Sequence, residues 1–148
     1  MMKRKFLSLS IALLGLAATV PAAHAKSIPG YGGKGWGWTD GQCFSDPSLN
    51  GSATNICRTN VSWDQPLPTD QGWFAPRLVV TAPTGTVVQC WGFGVSDDLL
   101  SISGNFYSSN SVGGTQVLNS SSVLVPNDGH LLVACNVPPG ARIHNVNW

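Results

Sequence analysis

Two strand-like stretches that each carry one cysteine constrain the fold of this chain most. The first spans residues 77–95, RLVVTAPTGTVVQCWGFGV, and has the turn sequence PTG between two runs of strand-forming residues. The second spans residues 130–137, HLLVACNV, and places Cys135 on one face with Leu131 at the two-residue spacing of a strand. We predict that the first stretch forms a hairpin and that a disulfide from Cys90 joins it to the second.

The composition favours strands and turns over helices. Residues 26–148 contain no glutamate and two lysines, whereas Gly, Ser, Asn, Thr and Val are abundant. Helix formers are therefore depleted and strand and turn formers enriched. Further runs of strand-like residues, separated by turn residues, lie at residues 58–64, 101–107, 115–118, 123–125 and 141–148. We predict a single all-β domain, an antiparallel β-sandwich or jelly-roll of about eight short strands with two disulfides.

Alternation also predicts which side chains face the core. In the second half of the first stretch, Val88 and Cys90 share one face, and Trp91 and Phe93 share the other. If the cysteine points inward, two large rings point outward and need a cover or a ligand. In the run SISGNFY at residues 101–107, the side chains expected to face inward are those of Ile102, Gly104 and Phe106.

Turn residues and breaks in the alternation predict how the strands are connected. Two prolines in residues 65–73 cannot donate to a sheet ladder, so this segment is expected to form a loop. The sequence NDG that follows residues 123–125 is typical of a tight hairpin and should pair that run with residues 130–137. In the last run the alternation slips near His144, which predicts a β-bulge.

The first 25 residues have the three parts of a bacterial-type secretory signal peptide. A basic start, KRK at residues 3–5, precedes an apolar run and the small-x-small cleavage site AHA at residues 23–25. We predict cleavage after Ala25, a glycine- and tryptophan-rich arm at residues 26–42, and a sandwich domain at residues 43–148. No later run approaches the ~20 apolar residues of a membrane span. The chain is therefore expected to be secreted or periplasmic.

The four cysteines of an exported chain predict two disulfides, because the compartments outside the cytoplasm are oxidising. Three pairings are possible. The polar loop between Cys43 and Cys57 favours that pair, and the position of the other two in strand-like runs favours Cys90 with Cys135. In the chain-entropy model, closing these loops of 15 and 46 residues stabilises the fold by about 3 and about 4 kcal/mol.

The charge distribution argues against nucleic acid as a partner. Residues 26–148 carry five basic residues against seven aspartates, which gives a formal net charge of −2. Phosphate binding depends on clustered lysine and arginine. The five basic residues are scattered along the sequence: Lys26, Lys34, Arg58, Arg77 and Arg142.

Few side chains could carry acid–base or metal chemistry. Beyond the signal, the chain has two histidines, His130 and His144, and no glutamate. A glycosidase would need two carboxylates, for which the candidates are Asp97 with Asp98 and Asp64 with Asp70. Aspartates in such positions more often cap turns, and the loop oxygens of Asp97, Asp98, Asn127 and Asp128 lack the calcium-loop pattern. We predict no enzyme activity, cofactor or metal, with an Asp-dependent hydrolase as an alternative.

The aromatic residues suggest a ligand. Rings in Gly- or Pro-rich segments are hard to bury, and exposed rings beside Asp and Asn commonly hold sugars. The candidate ligand-binding residues are Trp36, Trp38, Trp73, Phe74 and Trp91. We expect a non-catalytic domain that binds a glycan through them. One alternative is that the rings only close the open ends of the sandwich. Another is a structural or protein-binding role in the cell envelope or outside the cell, in which an exposed apolar patch contacts a cell-surface protein.

Overall fold

A computed structural model describes residues 26–35, 38–46, 50–98 and 102–148, so the predicted signal peptide lies outside the described residues. In chain order the strands are β1 Ser27–Pro29, β2 Lys34–Gly35, β3 Phe44–Ser45, β4 Ala53–Asn55, β5 Val61–Leu67, β6 Gly72–Phe74, β7 Arg77–Ala82, β8 Gln89–Val95, β9 Ile102–Ser108, β10 Gly114–Asn119, β11 Val123–Val125, β12 His130–Val137 and β13 Arg142–Asn147. A 3₁₀ turn at Gly30–Gly32 and one helical turn at Trp38–Gly41 lie between the first strands. Seven of these strands have six residues or more and the other six have two or three, so the prediction of about eight short strands roughly fits.

Two antiparallel sheets, which we call sheet A and sheet B, confirm the all-β class. Sheet A has the strand order β10-β7-β13-β4-β3, and β1 also pairs with β13. Sheet B has the order β2-β5-β12-β8-β9. The alternating apolar faces of both sheets form the core, and its largest fully buried side chains include Trp63, Leu67, Leu78, Val80, Leu131, Val133, Val137, Ile143 and Val146. Each such aliphatic side chain contributes about 1.5–3 kcal/mol when it is fully buried.

The hairpin predicted for residues 77–95 is wrong, because its two strands lie in different sheets. In sheet A, β7 pairs with β10 and β13, whereas in sheet B β8 pairs with β12 and β9. The predicted turn is present at Gly85, but the chain then passes from sheet A to sheet B before β8 begins. Leu78 on β7 and Val88 before β8 are both fully buried. Two apolar faces that need burial can face each other across a sandwich instead of lying side by side.

A two-stranded ribbon of β6 and β11 closes one end of the sandwich. It continues the β7–β10 pairing beyond a break in which residues 75–76 oppose residues 120–122. The unequal lengths bend the ribbon, as a bulge does. The NDG turn that follows β11 is formed as predicted, with Asp128 at φ 56°. The predicted hairpin is wrong, however, because β11 pairs with β6 and the turn leads into sheet B.

The predicted facing of β9 is reversed. Tyr107 is buried, whereas Phe106 is 55% exposed. Because Tyr107 opposes Cys90 on β8, the register with β8 decides which face of β9 meets the core. Polar side chains can occupy the inner face here because they are hydrogen-bonded: Ser103 Oγ and Asn105 Nδ2 donate to the backbone carbonyls of Leu124 on β11 and of Ser122 just before it, at 2.7 and 2.9 Å. These bonds satisfy two backbone carbonyl groups of the ribbon and of the segment before it.

Two further sequence predictions concern the loop after β5 and the bulge in the last strand. The predicted loop over residues 65–73 begins too early, because β5 continues through Pro66 to Leu67. On one side of β5, Pro66 lies opposite β12. On the other side, β2 pairs with β5 only at Trp63 and Asp64, so among the described strands β5 has no neighbour on that side at Pro66. A missing N–H that points away from the sheet removes no ladder bond. The register of β13 shifts beside His144, which confirms the predicted bulge.

Both predicted disulfides are present. Cys43 is bonded to Cys57, and Cys90 is bonded to Cys135. The second pair lies directly opposed on β8 and β12, in the core of sheet B. The covalent link therefore joins the central strand of this sheet, β12, to its neighbour β8 and holds their register.

Candidate functional site

The outward side of sheet B carries contiguous aromatic rings. Residues that oppose each other on neighbouring strands share one face of a sheet. The register of β5, β12, β8 and β9 defines three adjacent rows on this side. We call them the aromatic face, whose rows are Asp64, Ala134, Trp91 and Phe106; Pro66, Leu132, Phe93 and Gly104; and Ser62, Asn136, Gln89 and Ser108.

The rings of the aromatic face meet over β8 and β9. The Trp91 and Phe106 ring centroids are 5.4 Å apart, with the ring planes tilted by 55°. Phe93 lies beside them, and its ring covers Gly104, where a Cβ would be 2.7 Å from Phe93 Cδ1. Trp91 and Phe93 are half-buried and occupy the outward positions that the alternation predicts. Together the three rings form an apolar surface that stays in contact with solvent.

Polar groups border these rings on one side. Gln89 and Asn136 are half-buried and present amide groups in the row next to Trp91. Strands lie about 4.8 Å apart, so Ala134 separates Asp64 from Trp91 by two strand spacings, about 10 Å. The small side chain of Ala134 lies between the indole of Trp91 and the carboxyl group of Asp64, whose Oδ1 is buried. The face therefore combines stacking surfaces with hydrogen-bonding groups.

The other predicted ligand residues lie elsewhere or outside the described side chains. Trp36 is outside the described residues, and Trp38 begins the helical turn without a described side chain. Trp73 is 69% exposed on the outward face of the ribbon, and Phe74 is half-buried against the core. The ribbon packs against the inner side of sheet B, so this sheet separates Trp73 from Trp91.

The described part of the N-terminal arm is paired with both sheets. Its first strand, β1, pairs with β13 in sheet A, and its second, β2, pairs with β5 in sheet B. Between them, the Gly30 carbonyl accepts a 3.0 Å hydrogen bond from Nε1 of the fully buried Trp63. These residues therefore cover Trp63, at the edge of sheet B opposite to β9. The expected contact between Trp36 or Trp38 and Trp91 lies outside the described side chains.

The titratable groups are dispersed. His144 Nε2 lies 2.8 Å from Thr81 Oγ1 on sheet A, and burial, together with the positive charge of Arg142, lowers the pKa of this imidazole. His130 Nδ1 lies 3.9 Å from Asp97 Oδ1. Within the described residues, no three His, Cys, Asp or Glu side chains come close enough to hold a metal ion.

One of the aspartates proposed for a hydrolase lies in a polar pocket at the end of the ribbon. The pocket has a volume of about 320 Å³ and is lined by Thr69, Asp70, Gln71, Asn127, Asp128 and Gly129. It brings Asp70 beside the turn at Asp128, whereas Asp64 belongs to the aromatic face. The pocket has no aromatic lining.

Sequence reasoning missed Phe106 because an apolar ring in an alternating strand was assigned to the core. The pairing of β8 with β9 would have identified it. When Val95 opposes Ile102, residue 91 opposes residue 106, so an outward Trp91 requires an outward Phe106. The amides of Gln89 and Asn136 follow from the same kind of pairing across β8 and β12.

The fold and the site define a disulfide-stabilised, all-β sandwich with an aromatic outer surface. The two disulfides fit an oxidising compartment outside the cytoplasm. In the part of the chain that the structure describes, no helix has the length and apolar character needed to cross a membrane. No protein-family model matches the chain, and no curated protein matches its sequence.

Proposed function

We propose that this protein is a non-catalytic, exported domain that binds a glycan through the aromatic face. The observation that carries the proposal is the contiguous, solvent-facing group of Trp91, Phe93 and Phe106 beside the amides of Gln89 and Asn136. Sugar rings present apolar C–H faces that stack on aromatic rings, and hydroxyls that bond to amides and carboxylates. Both kinds of contact are available on this one face.

The position of the rings on strands supports binding without much reorganisation. Trp91 lies on β8, which is paired on both sides and bonded to β12 through Cys90. A ligand that binds such a surface does not have to order a loop, so little conformational entropy is lost on the protein side. The glycan site is therefore pre-organised by the sheet.

The shape of the face indicates the class of glycan. Pockets for small ligands are concave and bury 70–90% or more of the ligand surface. The described residues of the aromatic face all lie on one side of sheet B, so they can cover only one side of a ligand. We therefore propose an extended polysaccharide, whose successive sugar rings each add a contact, instead of a monosaccharide.

The test compares two tryptophans that lie on opposite sides of sheet B. Purified protein is first mixed with the insoluble polysaccharides cellulose, chitin and peptidoglycan. Where one of them retains the protein, the affinity for soluble oligosaccharides of that polysaccharide is measured by titration calorimetry. Trp91→Ala should weaken binding at least ~10-fold, which corresponds to ~1.4 kcal/mol. Trp73→Ala, the matched control, removes a more exposed ring from the ribbon and should leave affinity unchanged.

Three outcomes would contradict the proposal. Retention by none of the polysaccharides would reject a glycan of these classes, and retention that depends on Trp73 but not on Trp91 would reject the aromatic face. Release of reducing sugars that is lost in Asp64→Asn would instead support the hydrolase alternative. Unchanged folding of each variant is checked by far-UV circular dichroism.

A further inference from the structure

The outer strand of sheet B, β9, is a long edge without the usual protection. β9 has seven residues and pairs only with β8 among the described strands. The strand at the other edge of sheet B, β2, and the edge strand β3 of sheet A have only two residues each. Proteins usually blunt exposed edges with short strands, charged side chains or proline. Residues 99–125 contain no charged residue and no proline. Nothing in the sequence of β9 therefore opposes the addition of another strand.

The register identifies the backbone groups that point away from the sheet. Ser109 N–H donates to the Val88 carbonyl at 3.0 Å, which continues the ladder between β8 and β9. Hydrogen-bonded and non-hydrogen-bonded pairs alternate along an antiparallel ladder. Asn105 and Tyr107 therefore bond to β8, and the residues whose backbone groups point outward are Ile102, Gly104, Phe106 and Ser108.

We propose that two copies of this chain associate through β9, in antiparallel register about a two-fold axis at Asn105. This register pairs Ile102 with Ser108 of the second copy, and Gly104 with Phe106 of the second copy. All four outward-pointing residues then find a partner on each chain, as a two-fold interface requires. Because β9 carries no charge, the two strands approach without like-charge repulsion.

The side chains of β9 also complement each other in this register. Phe106 is 55% exposed in the single chain, and the position two residues away is Gly104, which has no side chain. Pairing the ring of one copy with the glycine of the other places it beside Phe93, which already covers Gly104. An aromatic ring opposite a strand glycine is a favourable cross-strand arrangement. The exposed ring thereby gains an apolar neighbour.

This association would join the two aromatic faces into one surface. The Trp91 and Phe106 rings of one copy would lie next to those of the other copy across the two-fold axis, so a polysaccharide could contact both copies at once. This consequence rests on the proposed glycan function, whereas the dimer itself does not. The two are separable because the dimer is measured without any glycan.

Analytical ultracentrifugation over a wide concentration range tests the dimer, with Ser108 as the site of change. Ser108→Pro removes an outward N–H and places a ring where the second strand would lie, so the dimer should dissociate at least 10-fold more readily. Ser108→Ala is the matched control because it keeps the N–H, and it should leave the dimer unchanged. Thr115→Lys adds a charge to the other long edge strand, β10, and should have no effect.

Hydrogen exchange on the unmodified protein tests the same pairing without a substitution. In the proposed dimer, the amides of Gly104, Phe106 and Ser108 are protected at high protein concentration and lose that protection on dilution. A protein that is monomeric at all concentrations, with these amides always exchanging rapidly, would overturn the proposal. So would a dimer that persists in folded Ser108→Pro, or one that Thr115→Lys alone dissociates.

Discussion

Gly94 should not tolerate even one additional methyl group, because β11 crosses the inner side of β8 at this position. A Cβ on Gly94 would lie 1.8 Å from the carbonyl oxygen of Leu124, whereas ordinary contact begins at 3.4 Å. The obstructing oxygen is backbone and accepts the hydrogen bond from Ser103 Oγ, so it cannot rotate aside as a side chain can. Gly94→Ala must therefore displace the ribbon by about 1.6 Å, the difference between these two distances.

Three contributions set the size of this effect. Overpacking of a well-packed interior costs about 1–3 kcal/mol, and loss of the Ser103 hydrogen bond adds about 1 kcal/mol. The displaced ribbon also carries Val123 and Val125, each 1% exposed, and a partial loss of their burial adds to the cost. We expect Gly94→Ala to lower the free energy of unfolding by about 3 kcal/mol or more, a large share of the roughly 5–15 kcal/mol of a typical domain.

Equilibrium urea unfolding with the disulfides intact, followed by tryptophan fluorescence, measures this loss. Gly41→Ala is the control, because a Cβ at Gly41 meets nothing within 4 Å and the residue ends a helical turn. This control should be nearly neutral. If the two variants unfold within about 0.5 kcal/mol of each other, the range of ordinary surface substitutions, the ribbon does not pack on Gly94 as described and the reasoning fails.

Two further predictions concern covalent links and pH. Replacing Cys90 and Cys135 with alanine should destabilise the protein by about 4 kcal/mol, against about 3 kcal/mol for Cys43 and Cys57, because the first bond closes the longer loop. Denaturant midpoints of the two double variants in the reverse order would contradict this account. The pKa of His144 is lowered in the folded protein, so on acidification the unfolded chain binds a proton at a higher pH than the folded protein does. Stability should therefore fall as the pH drops below about 6.5. His144→Gln should lose this part of the pH dependence, and unfolding profiles that coincide with those of the unsubstituted protein would count against it.

The sequence by itself determined the features that depend on short-range patterns. Composition and alternation predicted the all-β class, and the position of the cysteines in a polar loop and in two strand-like runs predicted both disulfides. The bulge at His144 and the turn at Asp128 followed from a broken alternation and from a residue pair suited to positive φ. The outward position of Trp91 followed once Cys90 was taken to face the core. Each of these depends on a residue and its immediate neighbours.

Only the tertiary structure decided how the strands pair. Alternation has a period of two residues, so it divides a strand into two faces without stating which face meets the core. For β9 the deciding factor was the register with β8, which turned Tyr107 inward and Phe106 outward against their polarity. For β7 and β8 it was the need of both apolar faces for burial, which placed them in opposite sheets. The aromatic face combines residues from four strands that are distant in sequence, and their alignment depends on these pairings, which no local pattern specifies.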